Sequence, residues 1–153
     1  MILIDVNVLV NAARTDGHRY EEFRTWFLDL QTRGEPFAVS DHILASVVRI
    51  TTNRRIFDVP STVDAALDYC RVIREAPSCR VVAAQAEFWS ELSRLVVESG
   101  AKGPMVTDAE IAALAVESGC TLATADRDFA RFPGLRWFHP LEDQSITMNP
   151  RRT

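Results

Sequence analysis

The sequence has 153 residues, of which 47% are hydrophobic, and a formal net charge of −4 at pH 7. This length and apolar content suit a globular core, so we expect a single domain over residues 1–153. The acidic balance argues against a surface coated in basic residues for non-specific nucleic-acid binding, although a local basic patch is compatible with it. With no signal-peptide pattern and no apolar run near the roughly 20 residues of a membrane span, we expect a cytoplasmic protein without membrane association.

Short apolar runs alternate with helical periodicity along the chain. Five runs are typical of strands, at residues 2–4, 37–39, 81–83, 122–124 and 136–138. Between them, apolar residues recur at helical spacing over residues 20–30, 88–96 and 111–118. Strands separated by helices predict βαβ units, a mainly parallel central sheet and a three-layer α/β/α sandwich.

Several local signals predict where helices begin and end. Thr107 and Glu110 have the spacing of a capping box, which predicts a helix start at Thr107 and puts Asp108 in the first turn. Pro60 and the serine after it precede a second expected helix. Gly119 is typical of a helix C-terminus.

Carboxylates follow three of the predicted strands. Asp5 follows the first, Asp41 comes soon after the second, and Asp126 comes soon after the fourth, with Asp128 two residues later. In a parallel sheet, functional sites form outside the carboxyl ends of the strands. Asp108, at the start of a helix that begins at the same edge, can join them.

Helix capping is the competing explanation for each of these acids. Asp is among the best N-cap residues, and the capping box makes Asp108 the strongest case for a purely structural role. The joint placement of acids on three separate segments nevertheless favours a shared site. Asn7 and Thr124 are small polar neighbours suited to support such a site through hydrogen bonds.

Clustered carboxylates raise each other's pKa, and a divalent cation offsets that repulsion. No His or Cys lies near Asp5, Asp108 or Asp126 in the sequence. An all-oxygen site of this kind suits Mg²⁺ or Mn²⁺ rather than zinc. These three acids are therefore the expected metal ligands.

At these residues the sequence resembles the PIN-domain nucleases, and more narrowly the VapC ribonuclease toxins of bacterial toxin–antitoxin pairs. The matching motifs are ILIDVNVL at residues 2–9, VTDAEIAALA at 106–115 and LATADRDF at 122–129. Further likeness lies at 50–57 and 132–137. The order and spacing of the motifs carry the resemblance more than any one of them.

The resemblance implies an α/β/α sandwich, often a homodimer, whose acidic pocket binds Mg²⁺ or Mn²⁺ and hydrolyses structured RNA. Asp5, Asp108 and Asp126 fall on the family's metal positions, and Asp126 would complete the metal shell or orient the attacking water with support from Thr124. Metal-assisted hydrolysis would leave a 5′-phosphate and a 3′-hydroxyl. A cognate antitoxin is the expected protein partner and inhibitor. Transfer RNA is the first expected substrate and ribosomal RNA the second.

Substrate contacts are expected from basic and polar side chains around the acids. Besides Asn7, we expect Arg49, Arg54, Arg55 and Lys102 to rim the site and contact RNA phosphates. Solvated surface charge explains each of the four cations equally well.

One position departs from the family pattern. About six residues after the strand-ending serine, Ser40, the family commonly has Glu, and this chain has Ser46. We expect Asp41 to be the acid that substitutes for it. The departure keeps a second hypothesis open, a catalytically silent PIN-like binding protein. A third is a structure-specific DNA nuclease, although a chain this short leaves little room for DNA-grasping elements.

Overall fold

The computed structural model describes residues 1–142 and 147–150. The strands found there are β1 (Ile2–Ile4), β2 (Phe37–Val39), β3 (Cys79–Val81), β4 (Thr121–Ala123), β5 (Arg136–Phe138) and β6 (Thr147–Met148). They form one sheet in the order β3-β2-β1-β4-β5-β6. Every neighbouring pair runs parallel except β5 and β6, which are antiparallel.

Helices connect the parallel strands. They are α1 (Val6–Ala13), α2 (Tyr20–Thr32), α3 (Asp41–Thr51), α4 (Val63–Arg74), α5 (Phe88–Ser99) and α6 (Met105–Glu117), followed by a 3₁₀ helix at Arg127–Arg131. The predicted three-layer α/β/α sandwich with a mainly parallel sheet is confirmed. Within residues 1–142 and 147–150, no helix is long and apolar enough to cross a membrane.

The central strands form the middle of the core. Leu3, Ile4, Leu122 and every residue of β2 are completely buried. Strands covered on both faces are continuous apolar runs of this kind. Because the strands run parallel, the carboxyl ends of β1, β2 and β4 lie at one edge, where the chain turns into α1, α3 and the 3₁₀ helix.

Most predicted boundaries are close to the observed ones, and two are displaced. The third strand begins two residues earlier than expected, and the fourth begins one residue earlier. The capping box is wrong because α6 already begins at Met105, after Pro104, so Thr107 lies inside the helix. Asp108 is still in the first turn. Gly119 ends α6 in a left-handed conformation (φ 66°), as predicted.

Candidate active site

A cavity of about 290 Å³ opens at the carboxyl ends of β1 and β4. Three of the acids predicted from the sequence line it, namely Asp5, Asp108 and Asp126. Other polar residues in the wall are Asn7, Asn11, Ser46, Arg49 and Thr107. The fold thus brings together three segments that are far apart in the sequence. We call this the acidic cavity.

Asp5 is the most deeply placed of the three acids, with 2% of its surface exposed. It is the N-cap of α1, and its Oδ1 accepts a hydrogen bond of 2.6 Å from the amide of Val6. Its Oδ2 accepts bonds from Asn7 Nδ2 at 2.6 Å and from Thr124 Oγ1 at 2.7 Å. Three donors from two strand ends therefore hold this carboxylate in one orientation.

The same network joins the ends of β1 and β4. Thr124 Oγ1 accepts bonds of 3.0 Å from Asn7 Nδ2 and from the amide of Asp126. The amide of Ala125 in turn donates to Asn7 Oδ1 at 2.9 Å. The structure therefore places Asn7 and Thr124 in hydrogen-bond contact with Asp5.

The acids of the cavity are difficult to ionise together. The pKa of Asp5 is raised to about 6, chiefly by burial and also by the nearby charges of Asp108 and Asp126, against the opposing hydrogen bonds from Thr124 and Val6. Burial also raises the pKa of Asp108, as do the charges of Asp126 and Asp128. Negative charge at this site therefore lacks full compensation from the protein.

Helix capping explains only part of this arrangement. Asp5 caps α1, and Asp126 caps the 3₁₀ helix by accepting a bond of 2.8 Å from the amide of Asp128. Among the residues that the structure describes, no hydrogen bond reaches the Asp108 carboxylate. A half-buried acid left without a donor has its lone pairs free for an external ligand.

The donors around the cavity suit a hard divalent cation. Its lining supplies carboxylate, amide and hydroxyl oxygens, with no His or Cys. In the described part of the chain, no three or more Asp, Glu, His or Cys side chains are grouped so that together they could hold a metal ion. Mg²⁺ keeps several of its waters and binds through one or two carboxylates, so an open, oxygen-only cavity fits it.

Asp41 does not lie in the acidic cavity. It is the first residue of α3, and its Oδ1 accepts a bond of 2.8 Å from Arg74 Nε. That guanidinium lowers the pKa of Asp41. Asp41 lines a separate cavity of about 320 Å³, so its position does not support the predicted substitution for the missing Glu. Ser46, by contrast, lies in the wall of the acidic cavity.

The predicted cations divide in a similar way. Arg49 lines the acidic cavity, whereas Arg54, Arg55 and Lys102 are exposed on the segments beyond α3 and before α6. Sequence reasoning missed Arg131, whose Nη2 lies 3.2 Å from Asp128 Oδ1 and whose charge lowers the pKa of Asp108. The three-residue spacing of Asp128 and Arg131 was the available signal.

Comparison with known proteins identifies relatives along almost the whole chain. The family model for the PIN domain matches residues 2–135. Ribonuclease VapC43 of Mycobacterium tuberculosis is 36% identical over 145 residues, which cover 95% of this chain and 99% of the relative. Ribonuclease VapC25 of the same organism is 38% identical over 140 residues, or 92% and 99% of the two chains.

Solved structures share the fold at lower identity. Mycobacterium tuberculosis VapC20, described as a Sarcin-Ricin loop cleaving toxin, aligns with a TM-score of 0.65 at 16% identity, over 85% of this chain and 93% of that one. VapBC2 from Rickettsia felis, bound to a DNA fragment from its promoter, aligns with a TM-score of 0.64 at 18% identity, over 91% and 98%. With the family model and the curated relatives, the chain belongs to the PIN-domain family and, within it, to the VapC ribonucleases.

Proposed function

We propose that this protein is a Mg²⁺-dependent endoribonuclease toxin that cleaves structured RNA, with Mn²⁺ able to replace Mg²⁺. The observation that carries the proposal is the acidic cavity, which Asp5, Asp108 and Asp126 line and where burial and like charge raise the pKa of Asp5 to about 6. PIN-domain nucleases generally depend on a divalent metal. A cation is the ligand that offsets such a cluster.

Five side chains in or beside the acidic cavity have roles in the proposed reaction. Asp5 and Asp108 would hold the cation, and Asp126 would complete its shell or orient the attacking water. A bound Mg²⁺ supplies a Lewis acid that polarises the scissile phosphate and lowers the pKa of water. Thr124 and Asn7 fix the orientation of Asp5 through the bonds described above. The products are a 5′-phosphate and a 3′-hydroxyl.

The RNA backbone must approach a negatively charged cavity. Arg49 in the cavity wall provides the nearest predicted phosphate contact, and Arg54, Arg55 and Lys102 extend positive charge outward. Transfer RNA is the favoured substrate because its single-stranded loops expose bases for recognition. Ribosomal RNA is second, and the Sarcin-Ricin loop named for VapC20 is a suitable test sequence.

A cognate antitoxin is the proposed inhibitor. The curated relatives carry the VapC name, and structural neighbours from Rickettsia felis and Salmonella typhimurium are described as VapBC assemblies. A basic side chain of the antitoxin would complement the carboxylates. The chain is further proposed to act as a homodimer.

Incubation of the purified protein with separate pools of transfer RNA and ribosomal RNA tests this function. Each pool is treated in Mg²⁺, in Mn²⁺ and in EDTA, and the ends of the fragments are mapped. We expect discrete fragments in either metal, with transfer RNA cut at lower protein concentration, and none in EDTA. Intact RNA in every metal would contradict the proposal and favour the silent binding protein suggested by Ser46. Cleavage of single-stranded or flapped DNA alone would favour the DNA nuclease.

A further inference from the structure

The side of the acidic cavity formed by the 3₁₀ helix depends on a short segment. Asp126 starts this segment, and Phe129, inside the 3₁₀ helix, also lines the cavity. The helix has five residues, of which Ala130 and Arg131 at its end are exposed. A helix of this length gains little stability from its own hydrogen bonds. Its position therefore depends on tertiary contacts.

A residue from the C-terminal part of the chain makes those contacts. Asn149 is 5% exposed, although it follows β6, in which both residues are exposed. Its Nδ2 donates to the carbonyl of Phe129 at 2.9 Å and to the carbonyl of Phe132 at 2.8 Å. Its Oδ1 accepts a bond of 3.1 Å from the indole of Trp137. The two donors and the acceptor of this amide are thus all engaged.

The backbone of Asn149 adds two bonds to the same segment. Its amide donates to the carbonyl of Leu135 at 3.0 Å, and its carbonyl accepts from the amide of Gly134 at 2.8 Å. Phe129 and Phe132, whose carbonyls it binds, are each 1% exposed, and their rings lie 5.6 Å apart. Asn149 therefore bonds to this segment both at Phe129, which lines the cavity, and at Leu135, directly before β5.

We infer that Asn149 is a positioning residue for the active site, acting through residues 126–135 to hold Asp126 and Phe129 at the acidic cavity. The inference rests on the proposed function for its effect on catalysis. Asn149 lies outside residues 2–135, the part of the chain that the family model matches. Phe129 connects Asn149 to the cavity. Its carbonyl accepts the bond from Asn149 Nδ2, and its amide donates to the carbonyl of Asp126 at 3.4 Å.

Replacing Asn149 with Leu tests the inference, because Leu has nearly the same shape but makes no hydrogen bond. Met148→Ala is the matched control, since Met148 directly precedes Asn149 in the chain and is 64% exposed. The first readout is amide hydrogen exchange in the metal-free protein, which requires no activity. We expect exchange at residues 129–135 to become at least about 10-fold faster in Asn149→Leu, with helices α1 and α3 unchanged. Met148→Ala should match the wild type.

The second readout separates positioning from general stability. In Asn149→Leu we expect kcat for RNA to fall about 10-fold and the apparent affinity for Mn²⁺ to weaken several-fold, while KM stays within about 2-fold because Arg49 lies on α3. Asn149→Asp keeps the acceptor for Trp137 but loses both donors, so it should show the same defect if the donors matter. It also provides a second variant if the Leu protein does not fold.

The outcomes distinguish this inference from the proposed function. Unchanged exchange at residues 129–135 in both variants would overturn the inference, whatever the activity. A uniform rise in exchange over the whole chain would also overturn it, because Asn149 would then be an ordinary stabilising residue. If the wild type cleaves no RNA but the local exchange and Mn²⁺ effects are present, the proposed function fails and the positioning role remains.

Discussion

Two cavities lie at the same edge of the sheet, and the pKa values of their carboxylates are shifted in opposite directions. In the acidic cavity, burial and like charge raise the pKa of Asp5 and of Asp108. In the second cavity, lined by Asp41, His42 and Glu110 among others, Arg74 lowers the pKa of Asp41. Glu110 there lies 3.5 Å from His42.

The difference shows what separates an acid of the candidate site from one that merely follows a strand. Asp5 comes directly after β1, and Asp41 comes two residues after the end of β2, so both fit the pattern of an acid at a strand end. Asp5 has 2% of its surface exposed, whereas the Asp41 side chain is 68% exposed and already paired. A cation binds favourably to carboxylates whose negative charge is uncompensated. It adds little beside a carboxylate that is already paired with an Arg.

The largest expected effect comes from removing one unpaired charge. Asp108→Asn keeps the size of the side chain but weakens the hold on the cation, so RNA cleavage should fall on the order of 100- to 1000-fold. Gel-based single-turnover rates measure this. Asp41→Asn is the matched control and should stay within about 2-fold of the wild type. An equal loss in both variants would remove the distinction between the cavities.

A pH dependence of stability follows from the raised pKa of Asp5. An acid whose pKa is higher in the folded protein favours folding at low pH, and that contribution is lost as pH rises from 3.8 to about 6. The metal-free protein should therefore lose about 3 kcal/mol of unfolding free energy over this window from Asp5 alone. Urea titrations in EDTA from pH 4 to 7 measure it.

The control for this pH effect is Asp5→Asn, which cannot titrate. Its stability should lack that component of the pH dependence, and Mg²⁺ added at pH 7 should stabilise the wild type more than the variant. Identical pH profiles for the two proteins would show that Asp5 ionises in the folded protein as it does in the unfolded chain.

A smaller effect is expected from the hydrogen bonds that orient Asp5. Thr124→Val removes the donor to Asp5 and the acceptor for the amide of Asp126, so kcat should fall about 10- to 100-fold. Thr121→Val, at the start of β4 and also buried, is the control and should retain most activity. Comparable losses would indicate damage to β4 rather than to the site.

The smallest effect is expected at the rim. Arg49→Ala should raise KM for RNA roughly 3- to 10-fold and leave kcat nearly unchanged, because a phosphate contact contributes to binding and not to the reacting bond. The dependence of KM on salt should also weaken. Arg74→Ala, at the second cavity, should change neither constant. A kcat defect in Arg49→Ala would place that side chain closer to the chemistry.

Sequence patterns predicted the fold well because its signals are local. The buried strands β1 and β2 are continuous apolar runs, and Gly119 ends α6 where a left-handed residue is needed. The third strand was predicted two residues too late because the apolar run, 81–83, continues past the residues that pair with β2. Hydrogen bonding with a neighbouring strand fixes that register, and no local signal reports it.

The site was predictable in its acids and less so in their partners. Asp5, Asp108 and Asp126 follow from strand ends and a helix start, which the sequence displays. The pairing of Asp41 with Arg74 spans 33 positions, and that of Asn149 with Phe129 spans 20. Contacts at such separations depend on the folded topology, so the sequence alone could place neither.

Mn²⁺ binding followed by electron paramagnetic resonance in the metal-free protein tests the central claim most directly, because it requires no knowledge of the RNA target. The wild type, Asp108→Asn and Asp41→Asn are titrated side by side at pH 7. We predict that Asp108→Asn weakens the affinity at least about 10-fold and that Asp41→Asn leaves it unchanged. Equal affinity in all three proteins, or no binding by the wild type at millimolar Mn²⁺, would contradict the assignment of the acidic cavity as the metal site.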